Sequence, residues 1–172
     1  MYNGLAWVDF FYSVVLFYAV IKGKKIDRGI RMTVAQIIKD KGQNIVSVKE
    51  DDSIMIALKV MGKYGIGVVL VMKDNEMKGV MSERDVARGL PIHGKDLLDM
   101  TVSTIMTSKI ITCDIFDSVD GVMELMTTKK IRHLPVMQDN NLMAVISIGD
   151  VVKQKIAQTE AEAESLKAYI SS

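Results

Sequence analysis

Two short polar phrases stand at matching places in two stretches of the chain. Ser82-Glu83-Arg84-Asp85 follows the apolar run Gly79-Val80-Met81, and Ser147-Ile148-Gly149-Asp150 follows Ala144-Val145-Ile146. A Ser with an acidic residue three positions later, directly after an apolar strand, is the pattern of a capped helix start. Such a start also suits phosphate, because its free N–H groups and positive dipole end face the anion. Asp85 and Asp150 could each accept from both hydroxyls of a ribose, and charged hydrogen bonds of that kind are worth about 1.5–3 kcal/mol each. Arg84 lies inside the first phrase, within reach of a phosphate. Its counterpart Gly149 allows close backbone approach instead. Arg132-His133 stands at the head of the strand Leu134-Pro135-Val136, where the first stretch has Gly67-Val68. One copy therefore offers an Arg from its helix start, and the other an Arg-His pair from its strand start. Capping alone accounts for one Ser/Asp pair. Two copies flanked by cations point to anion sites.

Catalytic chemistry has little to stand on. His93 and His133 are the two histidines, and neither belongs to a Ser-His-Asp or Cys-His arrangement. The sequence has no metal-ligand spacing, no Walker-type phosphate loop and no G-x-G-x-x-G. Cys113 is the single cysteine and lies in the apolar run Ile110-Ile111-Thr112-Cys113, so it reads as a buried, inert thiol. Gly62, Gly65 and Gly67 stand near a helix end, where capping is the simpler role.

The elements that position these residues come in two copies. Residues Ile45–Leu90 and Ile110–Lys155 align without a gap at a spacing of 65. Fixed-period self-similarity marks a repeated structural unit. Asp52-Ser53 recurs as Asp117-Ser118, and Asp74-Asn75 as Asp139-Asn140. Short strands are expected at Ile45–Val48 and Ile110–Cys113. Helices follow from Asp52-Ser53 and Asp117-Ser118, with apolar residues at i, i+3, i+4 and i+7. Strands at Val68–Met72 and Leu134–Met137 turn at Asp74-Asn75 and Asp139-Asn140 into Met77–Met81 and Leu142–Ile146. A last helix opens at Ser82 and at Ser147. Thr33–Asp40 and Val102–Met106 look like lead-in helices. Pro91 and Gly94 are expected to break the chain between the units. The final helix runs to about Ile170, and its Ile156, Leu166 and Tyr169 offer a partner contact.

Units of about 45 residues bury little surface alone, so the two should pack together within the 172 residues. Thirteen Met and few aromatics imply a Met-rich interior. A net charge of +1 is not the footprint of a nucleic-acid binder. Leu5–Ile21 is an apolar run holding Asp9 and followed by Lys22, Lys24, Lys25, Arg28 and Arg31. It is at the lower length limit for crossing a bilayer, and the carboxylate inside it is costly. Three readings stay open: a stretch outside the working protein, with Met32 as the start; a membrane anchor with its basic flank cytoplasmic; or a folded surface segment.

The phrases Asp-Asp-Ser-Ile, Gly-Val-Met-Ser-Glu-Arg-Asp-Val, Lys-Ile-Arg-His-Leu-Pro-Val and Ile-Ser-Ile-Gly-Asp-Val-Val-Lys resemble a tandem pair of CBS domains, the Bateman module, as found in small bacterial stand-alone proteins. The resemblance covers about Met32–Tyr169. It implies an α/β (α+β) fold of two β-α-β-β-α repeats related by a pseudo-two-fold axis, here with a long C-terminal helix. It implies division into residues 1–31, a first repeat at 32–95 and a second at 96–172. It further implies two clefts for adenosine-containing ligands: AMP, ADP, ATP, NAD(H) or adenosylmethionine. By position, Asp85 and Asp150 match the ribose carboxylate, and Ser82 and Ser147 the neighbouring hydroxyl. Arg84, Arg132 and His133 match phosphate contacts. Ile45, Val46, Ile110 and Ile111 match the strand edges beside the adenine. Ala144 departs from the family's usual glycine, which Gly79 keeps. The resemblance also extends to IMP dehydrogenase, whose chemistry sits in a separate barrel of about 250 residues that this chain has no room for. The expectation is a non-catalytic, cytoplasmic, homodimeric regulatory protein with no cofactor beyond a regulatory nucleotide and a regulated protein as partner. A membrane contact is expected only through Leu5–Ile21.

Overall fold

The computed structural model describes residues 32–42 and 45–171. Leu5–Ile21 lies outside them, and so do the readings of that segment. Among the described residues no helix is long and apolar enough to cross a membrane.

The order is α1 (Val34–Lys41), β1 (Ser47–Lys49), α2 (Ile54–Tyr64), β2 (Val68–Lys73), β3 (Glu76–Ser82) and α3 (Glu83–His93). Two 3-10 turns, Gly94–Asp99 and Val102–Thr104, lead to β4 (Cys113–Asp114), α4 (Val119–Lys129), β5 (His133–Gln138), β6 (Asn141–Ser147) and α5 (Ile148–Ile170). Each unit holds a three-stranded sheet, β1-β2-β3 and β4-β5-β6, with the first pair parallel and the second antiparallel. Even the register shift recurs, between Val71 and Met72 and between Val136 and Met137.

The repeated polar residues explain the repeated geometry. Asp52 accepts from the Lys49 N–H and Asp117 from the Asp114 N–H, both at 2.8 Å, closing the turn after the first strand. Ser53 and Ser118 then cap α2 and α4 by accepting from Ile56 and Gly121. At both hairpins the Asp and Asn have positive φ, 49° and 63°. Positive φ at both central residues is what a type I′ turn needs to match strand twist.

Three local expectations change. The first strands are shorter than the apolar runs: Ile45 and Val46 precede β1, and Ile110 and Ile111 precede β4. A strand exists only where it is paired, and β4 pairs with β5 through Cys113 and Asp114 alone. Pro91 does not break α3, which continues to His93. It lies within one turn of the C-terminal end, so the one missing backbone bond is removed where helix bonding is already ending. Finally, Val102–Thr104 is a 3-10 turn while Val34–Lys41 is a full helix. Ala35, Gln36 and Lys39 favour helix, whereas Ser103, Thr104 and Thr107 compete for the backbone.

The lead-in segments are exchanged between units. Val34, Ile37 and Ile38 pack in one core with Val119, Val122, Met126 and Leu134. Leu97 and Val102 pack with Ile54, Met61, Val69 and Met81. Backbone bonds fix the exchange: Val34 N–H donates to Asp117 O at 3.0 Å, and Val102 N–H to Asp52 O at 2.9 Å. A cut of the chain between residues 95 and 96 thus does not separate the two cores.

Candidate functional site

Both Ser/Asp phrases fold as capping boxes at a strand-to-helix corner. Asp85 Oδ2 accepts from the Ser82 N–H at 2.8 Å and the Ser82 hydroxyl at 2.6 Å. Asp150 Oδ2 accepts from the Ser147 N–H and hydroxyl, each at 2.7 Å. The Asp150 N–H returns a bond to Ser147 Oγ at 3.3 Å. Each carboxylate is held at the head of its helix, with Asp85 and Asp150 both half-buried.

The surroundings differ. Lys41, the last residue of α1, places Nζ 2.6 Å from Asp150 Oδ2 and 3.2 Å from the Val145 carbonyl. Burial by itself raises the Asp150 carboxyl. The Lys41 hydrogen bond, the two Ser147 bonds and the Lys41 charge outweigh it and bring the group below the ordinary carboxylate value. Among the described residues, no cation is paired with Asp85. Lys41 stood outside the sequence reading because it belongs to no polar repeat at the 65-residue spacing. Aligning the lead-in segments Val34–Lys41 and Val102–Lys109 on each other puts it opposite Lys109, and that was the available signal.

Gly79 and Ala144 account for the contrast. A Cβ on Gly79 would stand 2.8 Å from Met106 Sδ and 3.0 Å from the Thr107 carbonyl. The glycine therefore admits the chain at 106–107, and Thr107 pairs with Val80 through N–H to O at 2.8 Å. In the second unit the buried Ala144 stands at that position. There the carbonyl equivalent to Val80, that of Val145, takes the Lys41 ammonium instead. The close approach that Gly79 permits is made by the protein's own backbone.

The Arg-His pair divides. Arg132 lines an open groove of about 260 Å³ together with Arg84, Lys130 and Ile148. His133, half-buried, lies within electrostatic reach of Lys41, Asp150 and Glu83; burial first and Lys41 second push its imidazole below the ordinary 6.5. The groove joins the units: Arg84 donates to the Lys130 carbonyl at 3.0 Å. Lys130 is the left-handed cap of α4, φ 54°, where the first unit has Gly65 at φ 62°. Arg84, Lys130 and Arg132 make a cationic wall suited to an anionic group. Ile45 is exposed, Ile110 and Val46 are half-buried, and Val46 offers its carbonyl to the Leu70 N–H at 3.1 Å. Ile111 packs against the second core. Cys113 is buried, its thiol pushed up to about 12 chiefly by burial.

A family model for the CBS domain matches residues 34–92 and again 102–156. The chain belongs to the CBS-domain family. It is 33% identical over 147 residues to the mitochondrial CBS domain-containing protein CBSX3 of Arabidopsis thaliana, covering 80% of this chain and 71% of that one. Its fold matches the crystal structure of a CBS-domain containing protein from Agrobacterium tumefaciens with a TM-score of 0.70 and 34% identity, over 72% of this chain and 99% of that one. The CBS domain pair of protein MJ0100, solved in complex with 5′-methylthioadenosine and S-adenosyl-L-methionine, shares the fold at a TM-score of 0.65 and 22% identity, over 74% of this chain and 98% of that one. The two units are thus two CBS domains packed as a pseudo-two-fold pair, with a long C-terminal helix added to the second.

Proposed function

We propose that the protein is a non-catalytic regulatory module that binds adenosine-containing ligands between its two CBS domains and passes the change to a protein partner. The observation that carries this reading is the Ser147/Asp150 corner, with His133 beside it and the cations Arg84, Lys130 and Arg132 in the adjoining groove. A ribose diol would exchange Lys41 for two hydroxyl donors at Asp150, and a phosphate would meet the cationic groove. The adenosine class follows the ligands named for MJ0100. AMP, ADP, ATP and NAD(H) fit the same chemistry, with a phosphate for the groove. In this reading Ile45, Val46, Ile110 and Ile111 flank the base, and Ser82 and Asp85 form a second corner without a paired cation. The protein acts as a homodimer in the cytoplasm, and its effect on a partner follows from any difference in ligand affinity between two packings of the units.

The test is a panel of AMP, ADP, ATP, NAD(H) and S-adenosylmethionine in thermal melts, with mass spectrometry of small molecules released from the denatured protein. A ligand at a hundredfold excess over its Kd adds about 2.7 kcal/mol of stability. No melting shift with any of the panel at millimolar concentration sinks the reading.

A further inference from the structure

The outer face of α5 carries a second pattern that the ligand site does not use. Val152, Ile156, Thr159, Ala163, Leu166 and Ile170 follow one another at steps of four, three, four, three and four. That is the a/d spacing of a two-stranded coiled coil. None of the six is buried, and Val152, Ile156, Leu166 and Ile170 are 41%, 54%, 61% and 76% exposed. The face α5 turns to its own domain is a different one, with Val151 and Gln158 buried. An apolar seam of this period, set apart from the buried face, is made to meet another helix.

The charges beside the seam say which helix. Taking Ile156, Ala163 and Ile170 as a, the g positions are Lys155, Glu162 and Tyr169, of which the first two are charged, and the e positions are Lys153, Glu160 and Lys167. In a parallel, in-register pair each g residue faces the e residue five positions on in the other chain. Lys155 then meets Glu160, and Glu162 meets Lys167, twice over by symmetry. The antiparallel pairing of the same layers sets Lys153 against Lys167, Glu160 against Glu160 and Glu162 against Glu162, all like charges. Within its own chain Lys155 also reaches Asp120 at 2.7 Å, and Glu162 accepts from Gln158 at 2.8 Å.

We propose that α5 is the dimer interface: a parallel, in-register coiled coil with α5 of a second copy of this chain, closed by Glu162–Lys167 and Lys155–Glu160 pairs. The inference rests on the homodimer of the proposed function and locates its contact. A two-fold axis along α5 would bring the two CBS pairs side by side, so a shift between units in one copy would act on the root of the other copy's helix.

Sedimentation equilibrium of the full chain tests it. The wild type should be a dimer at micromolar concentration. Leu166→Asp and Ile156→Asp should each raise the dimer dissociation constant by about tenfold or more, with an unchanged circular-dichroism spectrum, because both side chains are exposed. Glu162→Lys and Lys167→Glu should each weaken the dimer about twofold, the size of an exposed ion pair, and the double exchange should restore it. Leu166→Cys should cross-link under mild oxidation, since in-register d positions face each other. A dimer indifferent to Leu166→Asp overturns the interface while leaving the dimer standing. A chain that is monomeric throughout overturns both. A dimer lost only when residues 1–31 are removed assigns the contact to that segment and rejects the coil. Because the adenosine-ligand melting shift should persist in Leu166→Asp, failure of the ligand reading is visible separately.

Discussion

At the head of α3, Asp85 accepts from Ser82; at the head of α5, Asp150 accepts from Ser147 and also from Lys41 at 2.6 Å. The two corners share sequence, strand register and cap geometry. They differ because the lead-in segments differ. Val34–Lys41 stays helical and delivers an ammonium to the Asp150 corner, whereas the chain after Val102–Thr104 turns off and pairs Thr107 with Val80. A duplicated site can therefore become unequal through a segment that belongs to neither repeat's polar phrase. One corner presents a free carboxylate edge, and the other an ion pair that a ligand must rearrange.

The largest effect is expected from removing the steric basis of the contrast. Gly79→Ala should destabilise the fold by about 1–3 kcal/mol, the usual cost of overpacking, because the new methyl meets Met106 Sδ and the Thr107 backbone. Ala144→Gly should cost about 0.5–1 kcal/mol through strand entropy. Denaturant melts that give equal losses for the two would refute the assignment of Gly79 to a close approach.

Next comes the carboxylate itself. In the proposed ligand reading, Asp150→Asn weakens nucleotide binding about tenfold, roughly one charged hydrogen bond. Asp85→Asn reports whether the first corner binds at all. Calorimetric titration reads both. Unchanged affinity with about 1 kcal/mol less stability would leave these residues as caps alone.

Lys130 sharpens the comparison at the far end of the helix. A lysine in the left-handed region is strained where Gly65 is not. Lys130→Gly should stabilise the protein by about 1 kcal/mol while keeping the Arg84 contact, since the acceptor is the backbone carbonyl. A loss of stability would show that the lysine side chain holds the groove.

Lys41→Met should cost less than about 1 kcal/mol, because the pair is partly exposed and screened. Its clearer signature is electrostatic: the Asp150 carboxyl should rise. Asp150 is depressed in the folded state, so its contribution is present above the ordinary 3.8 and lost as pH falls through the folded value. Lys41→Met should therefore lessen the loss of stability in acid. Lys109→Met, at the other lead-in, should change neither quantity; carboxyl NMR titrations and acid melts decide.

His133 gives the smallest effect. Its imidazole is held below 6.5, so the unfolded chain binds the proton more tightly and stability declines as pH falls from 6.5 towards the folded value. His133→Gln should flatten that decline, and melts between pH 5 and 8 that superimpose for both proteins would discount burial as the cause.

Much of this architecture was written locally. The 65-residue repeat, Asp74-Asn75 and Asp139-Asn140 at the turns, and the Ser caps at 53, 82, 118 and 147 each specify nearby backbone, because each acts through bonds to residues two or three positions away. The same holds for α5, which runs unbroken from Ile148 to Ile170. What the sequence did not disclose is long-range. The exchange of Val34 and Val102 between cores is decided by which apolar surface remains uncovered after each sheet forms. The short β4 is decided by pairing, and the parting of Arg132 from His133 by where β5 begins, since Arg132 precedes the strand on the groove side and His133 is its first residue. Lys41 reaches Asp150 across 109 positions of chain, and Arg84 reaches Lys130 across 46. Neighbour chemistry fixed the caps, turns and strands, while the charge of each corner was settled only when the packed cores brought distant helix ends together.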